Sequence, residues 1–344
     1  MASDCIRTSV VIPVYNGGRY LARTLDSVLN QSVADFEVIC VDDGSSDDGL
    51  TNAVLEEYAQ KDSRVRVLRQ KNQGPSAARN FGVQESRGKY VYVCDQDDLL
   101  HPQLLEYCLW AVSSQKVDFL AFRYGYCSGN QIPEFKNFDN FDNFDNVPFV
   151  VADQTIRGKS RLRAHIFHTD TWVHFSTREL AMSFPYALNR GMTRPFTLIR
   201  TAGRWMVSEA ILYYYNSQVE SSMMHRSISE KVMLAERGDW AAFCDIYSEE
   251  RESGDSDGLW KQQCKKFLLQ GLKIEYNMLR RSKKREDVAV HKDKMEIFVE
   301  SLQCLFIEKK IPLRWVKIRH RIAYCRLMGK AFCKRILQKY FLAH

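Results

Sequence analysis

An alternation across the first 125 residues constrains this chain more than any other feature: short apolar runs take turns with helical stripes. Ser9–Val14, Phe36–Val41, Arg64–Leu68, Tyr90–Cys94 and Asp118–Arg123 read as strands, each a short apolar run bounded by polar turns. Between the first two, Leu21, Leu25, Val28 and Leu29 form one face of a helix over Arg19–Leu29. Further helices are expected from about Asp47 to Gln60, from Pro75 to about Ser86, and after Pro102. Proline suits a first helical turn, where its fixed φ fits and its missing N–H would have no partner anyway. Strands alternating with helices specify an α/β fold whose sheet is mostly parallel and doubly wound. Such sheets bind ligands beyond the carboxyl ends of their strands. The residues after each strand are therefore the candidates for function.

Three of those strand ends carry a signal. After the first run comes Pro13-Val-Tyr15-Asn16-Gly-Gly, after the second Asp42-Asp43-Gly44-Ser45-Ser46-Asp47, and after the fourth Asp95-Gln96-Asp97-Asp98. Carboxylates gathered at neighbouring strand ends repel one another unless a divalent cation or a hydrogen-bond network lies among them. Oxygen ligands alone suit Mg²⁺ or Mn²⁺ rather than zinc. A hard cation with open coordination positions can neutralise a departing diphosphate. Taken singly, Asp42-Asp43-Gly44-Ser45 also fits a helix cap and turn, and Asp98 a cap for the helix that opens near Pro102.

The alternation ends near Gly125. Residues 1–220 read as one α/β domain interrupted by a low-complexity loop insertion over 125–155, which holds the triplet repeat Asn137–Asn146. Thr171–Phe175 and Trp205–Asn216 look like returning strands, and Thr201-Ala-Gly-Arg-Trp205 like the turn into the second of them. Residues 221–344 read as a helical C-terminal region, which ends in a basic amphipathic tail over 309–344.

Charge is spread unevenly. The chain carries 49 Lys and Arg against 42 Asp and Glu, but 11 of the basic residues and no acidic one lie between Lys309 and His344. The body is therefore slightly acidic, which argues against a nucleic-acid partner. Basic residues mixed with Trp315, Ile318, Ile322, Phe332 and Ile336 resemble an interfacial helix that lies on an anionic membrane surface. The sequence has no apolar run of 18 residues, and its start, Met-Ala-Ser-Asp-Cys-Ile-Arg, lacks the pattern of a signal peptide. Ten cysteines with no Cys-x-x-Cys pair suggest reduced thiols in a cytoplasmic protein.

Val11–Asn16, Val41–Ser45, Asn72–Asn80 and Asp95–Asp98 together resemble the motif series of the family 2 inverting glycosyltransferases, continuously over about residues 7–125. The resemblance implies the GT-A fold, with a Rossmann-like sheet, and transfer of one sugar from a nucleotide-diphospho-sugar, most simply a UDP-sugar. The expected acceptor is a glycan or polyprenyl-linked glycan of a bacterial surface polysaccharide, handled at the inner face of the cell membrane. By the same resemblance Pro13, Tyr15, Asn16, Asp42, Asp43 and Asp95 would bind the nucleotide-sugar, and Asp97 with Asp95 the Mn²⁺ or Mg²⁺. An inverting transfer also needs a general base. The family commonly places an acidic pair where this chain has Met192-Thr193, and no carboxylate lies between Glu179 and Glu209. Asp170, His174 and Glu179 are the nearest candidates, although His174 also fits a hydrogen-bonded strand residue. The alternative function is a catalytically impaired nucleotide-sugar-binding or assembly protein at the membrane.

Overall fold

The computed structural model describes residues 6–128, 133, 135, 144, 146–153, 174–186, 197–199 and 201–216. Their elements are β1 (Thr8–Val14), α1 (Leu21–Leu29), β2 (Phe36–Asp42), α2 (Leu50–Lys61), β3 (Val65–Arg69), α3 (Pro75–Gln84), β4 (Tyr90–Val93) and β5 (Leu99–Leu100). They continue with α4 (Leu104–Ser114), β6 (Phe119–Cys127), β7 (Phe149–Asp153), β8 (His174–Thr177), α5 (Arg178–Ser183) and β9 (Arg204–Asn216).

The first half is a parallel sheet in the order β3-β2-β1-β4, and β1 runs beside β2 from Thr8↔Phe36 to Val14↔Asp42. Every residue of β1 and β2 is buried, because helices cover both faces of the sheet. Alternate side chains feed two separate cores. Val10, Ile12, Val38 and Cys40 pack with Leu21 and Leu25 of α1 and Leu55 of α2. Val11, Ile39, Val41 and Val91 face Ala78 and Val83 of α3 and Ala181 of α5. Gly82 lets α3 settle against β1: a Cβ there would stand 2.3 Å from Cγ1 of Val11.

Parallel winding stops at β4. The late strand β8 inserts antiparallel between β4 and β6, so the fifth expected strand is not β4's neighbour. The 13-residue β9 runs parallel to β6, and antiparallel to β7 at one end and β5 at the other. The sheet is thus parallel in its first half, as the alternation predicts, and mixed in its second.

The loop insertion expected over 125–155 is narrower than its composition suggests. Strand β6 continues to Cys127, and β7 pairs with β9 from Phe149↔Ser208 to Asp153↔Arg204. Phe144, from the last copy of the triplet, is fully buried with its ring 5.0 Å from Tyr107 and 5.7 Å from Trp110. Composition alone does not reveal that one copy of a repeat has found an aromatic pocket. Most of the triplet, Thr171–Val173, the helical region 221–344 and the tail 309–344 lie outside the described residues. Among the described residues no helix is long and apolar enough to cross a membrane. Cys40, Cys94, Cys108 and Cys127 are buried free thiols.

Candidate functional site

Three turns meet at the carboxyl edge of the parallel strands. The first follows β1. Tyr15 N–H donates to Oε1 of Gln96 (2.8 Å), and Nε2 of Gln96 donates back to the Tyr15 carbonyl (3.1 Å). Asn16, in the left-handed region at φ 50°, donates its N–H to Oγ of Ser45 (3.0 Å), and its Oδ1 accepts from the Ser46 N–H (2.7 Å). Gly17 and Gly18 N–H both donate to Oγ1 of Thr51, whose hydroxyl donates to Asp47. A Cβ at Gly17 would lie 2.3 Å from Oε1 of Gln96, so a larger residue there would displace the glutamine from Tyr15. The β1 turn is therefore bonded to both of the others, and it presents the Tyr15 ring, 40% exposed, at this edge. Pro13 is buried inside β1 beside Val41. Its missing N–H falls on the β4 side, where β4 pairing has already ended at Val11↔Val93.

In the β2 turn both carboxylates are buried and occupied. Asp42 Oδ1 accepts from the Ser45 N–H (3.0 Å), closing the turn on itself. Asp43 Oδ1 accepts from Gln70 Nε2 (2.7 Å) and the Gln73 N–H (2.8 Å), and its Oδ2 from the Gly74 N–H (2.8 Å). Asp43 thereby holds the segment that leads from β3 into α3. Three of the roughly four acceptor positions of a carboxylate are taken, which leaves Oδ2 one more for a ligand. Asp42 is buried as well, and the partner of its carboxylate is its own turn.

The β4 turn is different. Asp95 Oδ1 accepts from Nη2 of Arg79 (2.6 Å), and the Arg79 guanidinium lies 5.6 Å from the centre of the Tyr186 ring. Asp97 is half-buried, and no side-chain or backbone donor from elsewhere in the described residues is placed against its carboxylate. Burial first, and then the neighbouring Asp95 charge, push its carboxyl up to about 7. Asp98 is fully buried, held by the Tyr213 hydroxyl on Oδ2 and the Asn216 N–H on Oδ1 (2.7 Å). It neither caps α4 nor faces the open edge with Asp97.

The base candidates do not converge on this edge. Asp170, Met192 and Thr193 lie outside the described residues. Glu179 is exposed in the first turn of α5. Its neighbour Arg178 donates to the carbonyl of Lys89 just before β4, so Glu179 starts at the amino end of the strand whose carboxyl end bears Asp95. His174 is buried in β8 beside Ala121, its ring stacked 5.5 Å from Phe119, as befits a strand histidine.

Two further residues, Asn80 from the Asn72–Asn80 motif and Tyr213, hold backbone around the site. Asn80 clamps the backbone of Tyr186, donating to its carbonyl (2.7 Å) and accepting from its N–H (2.6 Å). Tyr213 was visible only as part of an aromatic strand, and nothing local ties it to an aspartate 115 residues away.

A divalent cation fits this turn. Among the described residues no group of three or more His, Cys, Asp or Glu side chains forms a cage. Mg²⁺ and Mn²⁺ sites commonly use one or two carboxylates and complete their shell with water and substrate phosphates. The carboxylate of Asp97, crowded by Asp95 and with no donor from another described residue, has the chemistry to supply one ligand. Asp95 is already neutralised in part by Arg79 and can supply a second.

Comparison with known proteins agrees with this geometry. Residues 9–172 match the family model "Glycosyl transferase family 2". The glycosyltransferase GlyG of Streptococcus pneumoniae serotype 4 is 35% identical over 117 residues, 34% of this chain and 38% of that protein. A chondroitin synthase of Escherichia coli is 44% identical over 101 residues, 29% of this chain and 14% of the synthase. The chain therefore spans well under two thirds of the length of these relatives. Among solved structures, Staphylococcus aureus TarS 1–349 in complex with UDP-GlcNAc superposes with a TM-score of 0.66 at 18% identity, covering 98% of this chain and 92% of that one. A mannosyltransferase of Pyrobaculum calidifontis, in complex with GDP-Man and Mn²⁺, reaches 0.51 at 13% identity, covering 92% and 85%. At such identities the likeness is one of fold.

Proposed function

We propose that this chain, whose residues 9–172 belong to glycosyl transferase family 2, transfers one sugar from a nucleotide-diphospho-sugar to a glycan or lipid-linked glycan acceptor in surface-polysaccharide synthesis. The observation that carries the reading is the juxtaposition of the β1 turn with Asp95 and Asp97, joined through the two hydrogen bonds between Tyr15 and Gln96. Tyr15 offers an exposed ring face to a base, and Asn16, held by Ser45 and Ser46, fixes the turn that presents it. The spare acceptor position of Asp43 can take a base N–H. Asp95, steadied by Arg79, is placed for a ribose hydroxyl or a metal-bound water.

Asp97, with Asp95, would hold Mn²⁺ or Mg²⁺, which when bound neutralises the departing diphosphate. The chain's own residues do the rest: they pin the β1 turn, hold the carboxylates together and keep the edge of the sheet rigid, so that the donor is oriented before reaction. A UDP-sugar donor draws support from the TarS complexes with UDP and UDP-GlcNAc, and a divalent cation from the Mn²⁺ complex of the archaeal mannosyltransferase. Transfer with inversion would require a base to take the acceptor's proton.

A second reading is a nucleotide-sugar-binding protein without turnover, favoured by Met192-Thr193 in place of an acidic pair and by the placement of Glu179 and His174 away from an open position at the edge. Thermal stabilisation by UDP-, GDP-, CMP- and dTDP-sugars with and without Mn²⁺ tests both. A ligand at 100 times its Kd should stabilise by about 2.7 kcal/mol. Metal-dependent stabilisation by one class supports the donor site, and silence across the panel overturns it. Product formation with a glycan acceptor then separates the transferase from the binding protein. Attachment of the basic tail 309–344 to the cytoplasmic membrane face belongs to the same proposal. Flotation with anionic vesicles at low salt, lost on removing residues 309–344, would support it.

A further inference from the structure

Asp98 stands in the most acidic turn of the chain, yet its carboxylate faces inward. Both of its oxygens are taken by β9: Tyr213 donates its hydroxyl to Oδ2, and the Asn216 N–H donates to Oδ1 at 2.7 Å. The Tyr213 oxygen also accepts from the Asp95 N–H at 3.4 Å. One buried tyrosine thus reaches both ends of the Asp95–Asp98 turn, the backbone at its start and the side chain at its end. Both residues are completely buried. On the other side, the Thr24 hydroxyl of α1 donates to the carbonyls of Gln96 (2.8 Å) and Asp98 (2.9 Å). The strand carrying Tyr213 is itself anchored, through Leu100↔Tyr213 pairing and the His101 N–H on the Leu212 carbonyl (2.9 Å).

We propose that Tyr213 and Asp98 form a positioning pair that fixes the Asp95–Asp98 turn, so that Asp97 is presented to the cation while Asp98 itself is no cation ligand. The role given to Asp97 rests on the donor-site reading above; the clamp itself does not. A carboxylate suits the clamp because it accepts from two donors in opposite directions, and a tyrosine suits it because one hydroxyl can donate to Asp98 and accept from Asp95 together. Completely buried with both oxygens on β9, Asp98 is turned away from the open edge.

The test compares wild type with Tyr213→Phe, Asp98→Asn and Asp97→Asn. Its first arm needs neither donor nor acceptor: hydrogen exchange of the segment 95–98 in the metal-free chain, where the Asp95 amide reports directly on Tyr213. Tyr213→Phe should speed that exchange on the order of tenfold, the size expected for one lost buried hydrogen bond, while β1 and β2 amides keep their protection. Its second arm titrates Mn²⁺. Tyr213→Phe should raise the Mn²⁺ concentration needed at half-saturation by roughly tenfold and leave metal-free UDP affinity unchanged.

Asp98→Asn should stay within about threefold of wild type in Mn²⁺ requirement, because the amide oxygen still accepts from Asn216 and the amide nitrogen can donate to the Tyr213 oxygen. Asp97→Asn should lose the Mn²⁺ response. Unchanged exchange at 95–98 in Tyr213→Phe overturns the clamp. Asp98→Asn as damaging to Mn²⁺ binding as Asp97→Asn makes Asp98 a ligand, which overturns it equally. If Tyr213→Phe does not fold, Asp98→Asn and Asp98→Ala decide: faster exchange and a raised Mn²⁺ requirement only in the alanine variant support the pair. A wild type that binds no donor defeats the functional reading, and the exchange arm still decides the clamp.

Discussion

The turns after β2 and β4 are built from the same material, yet they do opposite things with it. Each places adjacent aspartates at the carboxyl end of a parallel strand. After β2, Asp42 and Asp43 are met by N–H donors from Ser45, Gln73 and Gly74 and by the Gln70 amide, so their charge is spent on holding backbone. After β4, Arg79 meets Asp95 and β9 meets Asp98, while Asp97 takes no donor from another described residue; burial and the neighbouring carboxylates push both Asp97 and Asp98 up. A carboxylate surrounded by donors builds structure. One crowded by burial and another carboxylate is a place for a proton or a cation. Donor supply, and not the number of aspartates, separates the two turns.

The sharpest way to break this comparison is to remove the carboxylate from each turn. Asp97→Ala should abolish Mn²⁺-dependent donor binding and lower turnover on the order of a thousandfold, several kcal/mol of transition-state stabilisation, while the metal-free chain melts no lower than wild type near pH 7 because a crowded carboxylate has been removed. Undiminished Mn²⁺-dependent affinity would remove Asp97 from the site. Asp43→Ala should do its damage to folding. It strands two backbone donors and a glutamine amide, for a loss of about 3 kcal/mol and a melting shift on the order of 10 °C. If instead it melts like wild type, the β2 turn is not the structural one.

Much of this was legible in the sequence, for physical reasons. The buried parallel strands are near-continuous apolar runs and the helices are periodic, so β1 to β4 and α1 to α4 announce themselves. The turn residues were also visible, because aspartate, asparagine and glycine cluster at those strand ends. Hidden were the contacts made across long separations. Nothing local shows that β8 will slide between β4 and β6, that Phe144 in a repetitive stretch will fill a pocket beside Trp110, or that Tyr213 will reach Asp98. Composition does not distinguish a residue that faces a ligand from one that shapes the turn beneath it, and for Asp42 the sequence left both readings open.

A pH titration sharpens the comparison without any substitution. With its carboxyl raised from the ordinary 3.8 to about 7, folded Asp97 binds a proton more tightly than it does in the unfolded chain. Its contribution to metal-free stability is therefore present below about pH 4 and declines as pH rises toward 7. Mn²⁺ needs the ionised form, so its affinity should rise through the same window by up to about tenfold per unit and level off above pH 7. Thermal melting from pH 5 to 8 with and without Mn²⁺ reads both trends. Mn²⁺ stabilisation that is flat across the window would mean that Asp97 is ionised throughout, and the contrast between the turns would narrow to geometry alone.

The smallest expected effect is the most discriminating. Asp42 uses Oδ1 to accept from the Ser45 N–H, and asparagine keeps that oxygen and tolerates the same turn. Asp42→Asn should therefore change stability by less than about 0.5 kcal/mol and donor affinity by less than about threefold. The chemically identical change at Asp97 removes the charge that a cation requires, and it should eliminate the Mn²⁺ response. Parallel Mn²⁺ and UDP-sugar titrations of the two variants compare one amide substitution in two turns of the same sheet. Equal losses would mean that Asp42 itself reaches the ligand. A null effect beside a complete one would show that the function of an aspartate here is set by the donors its turn supplies.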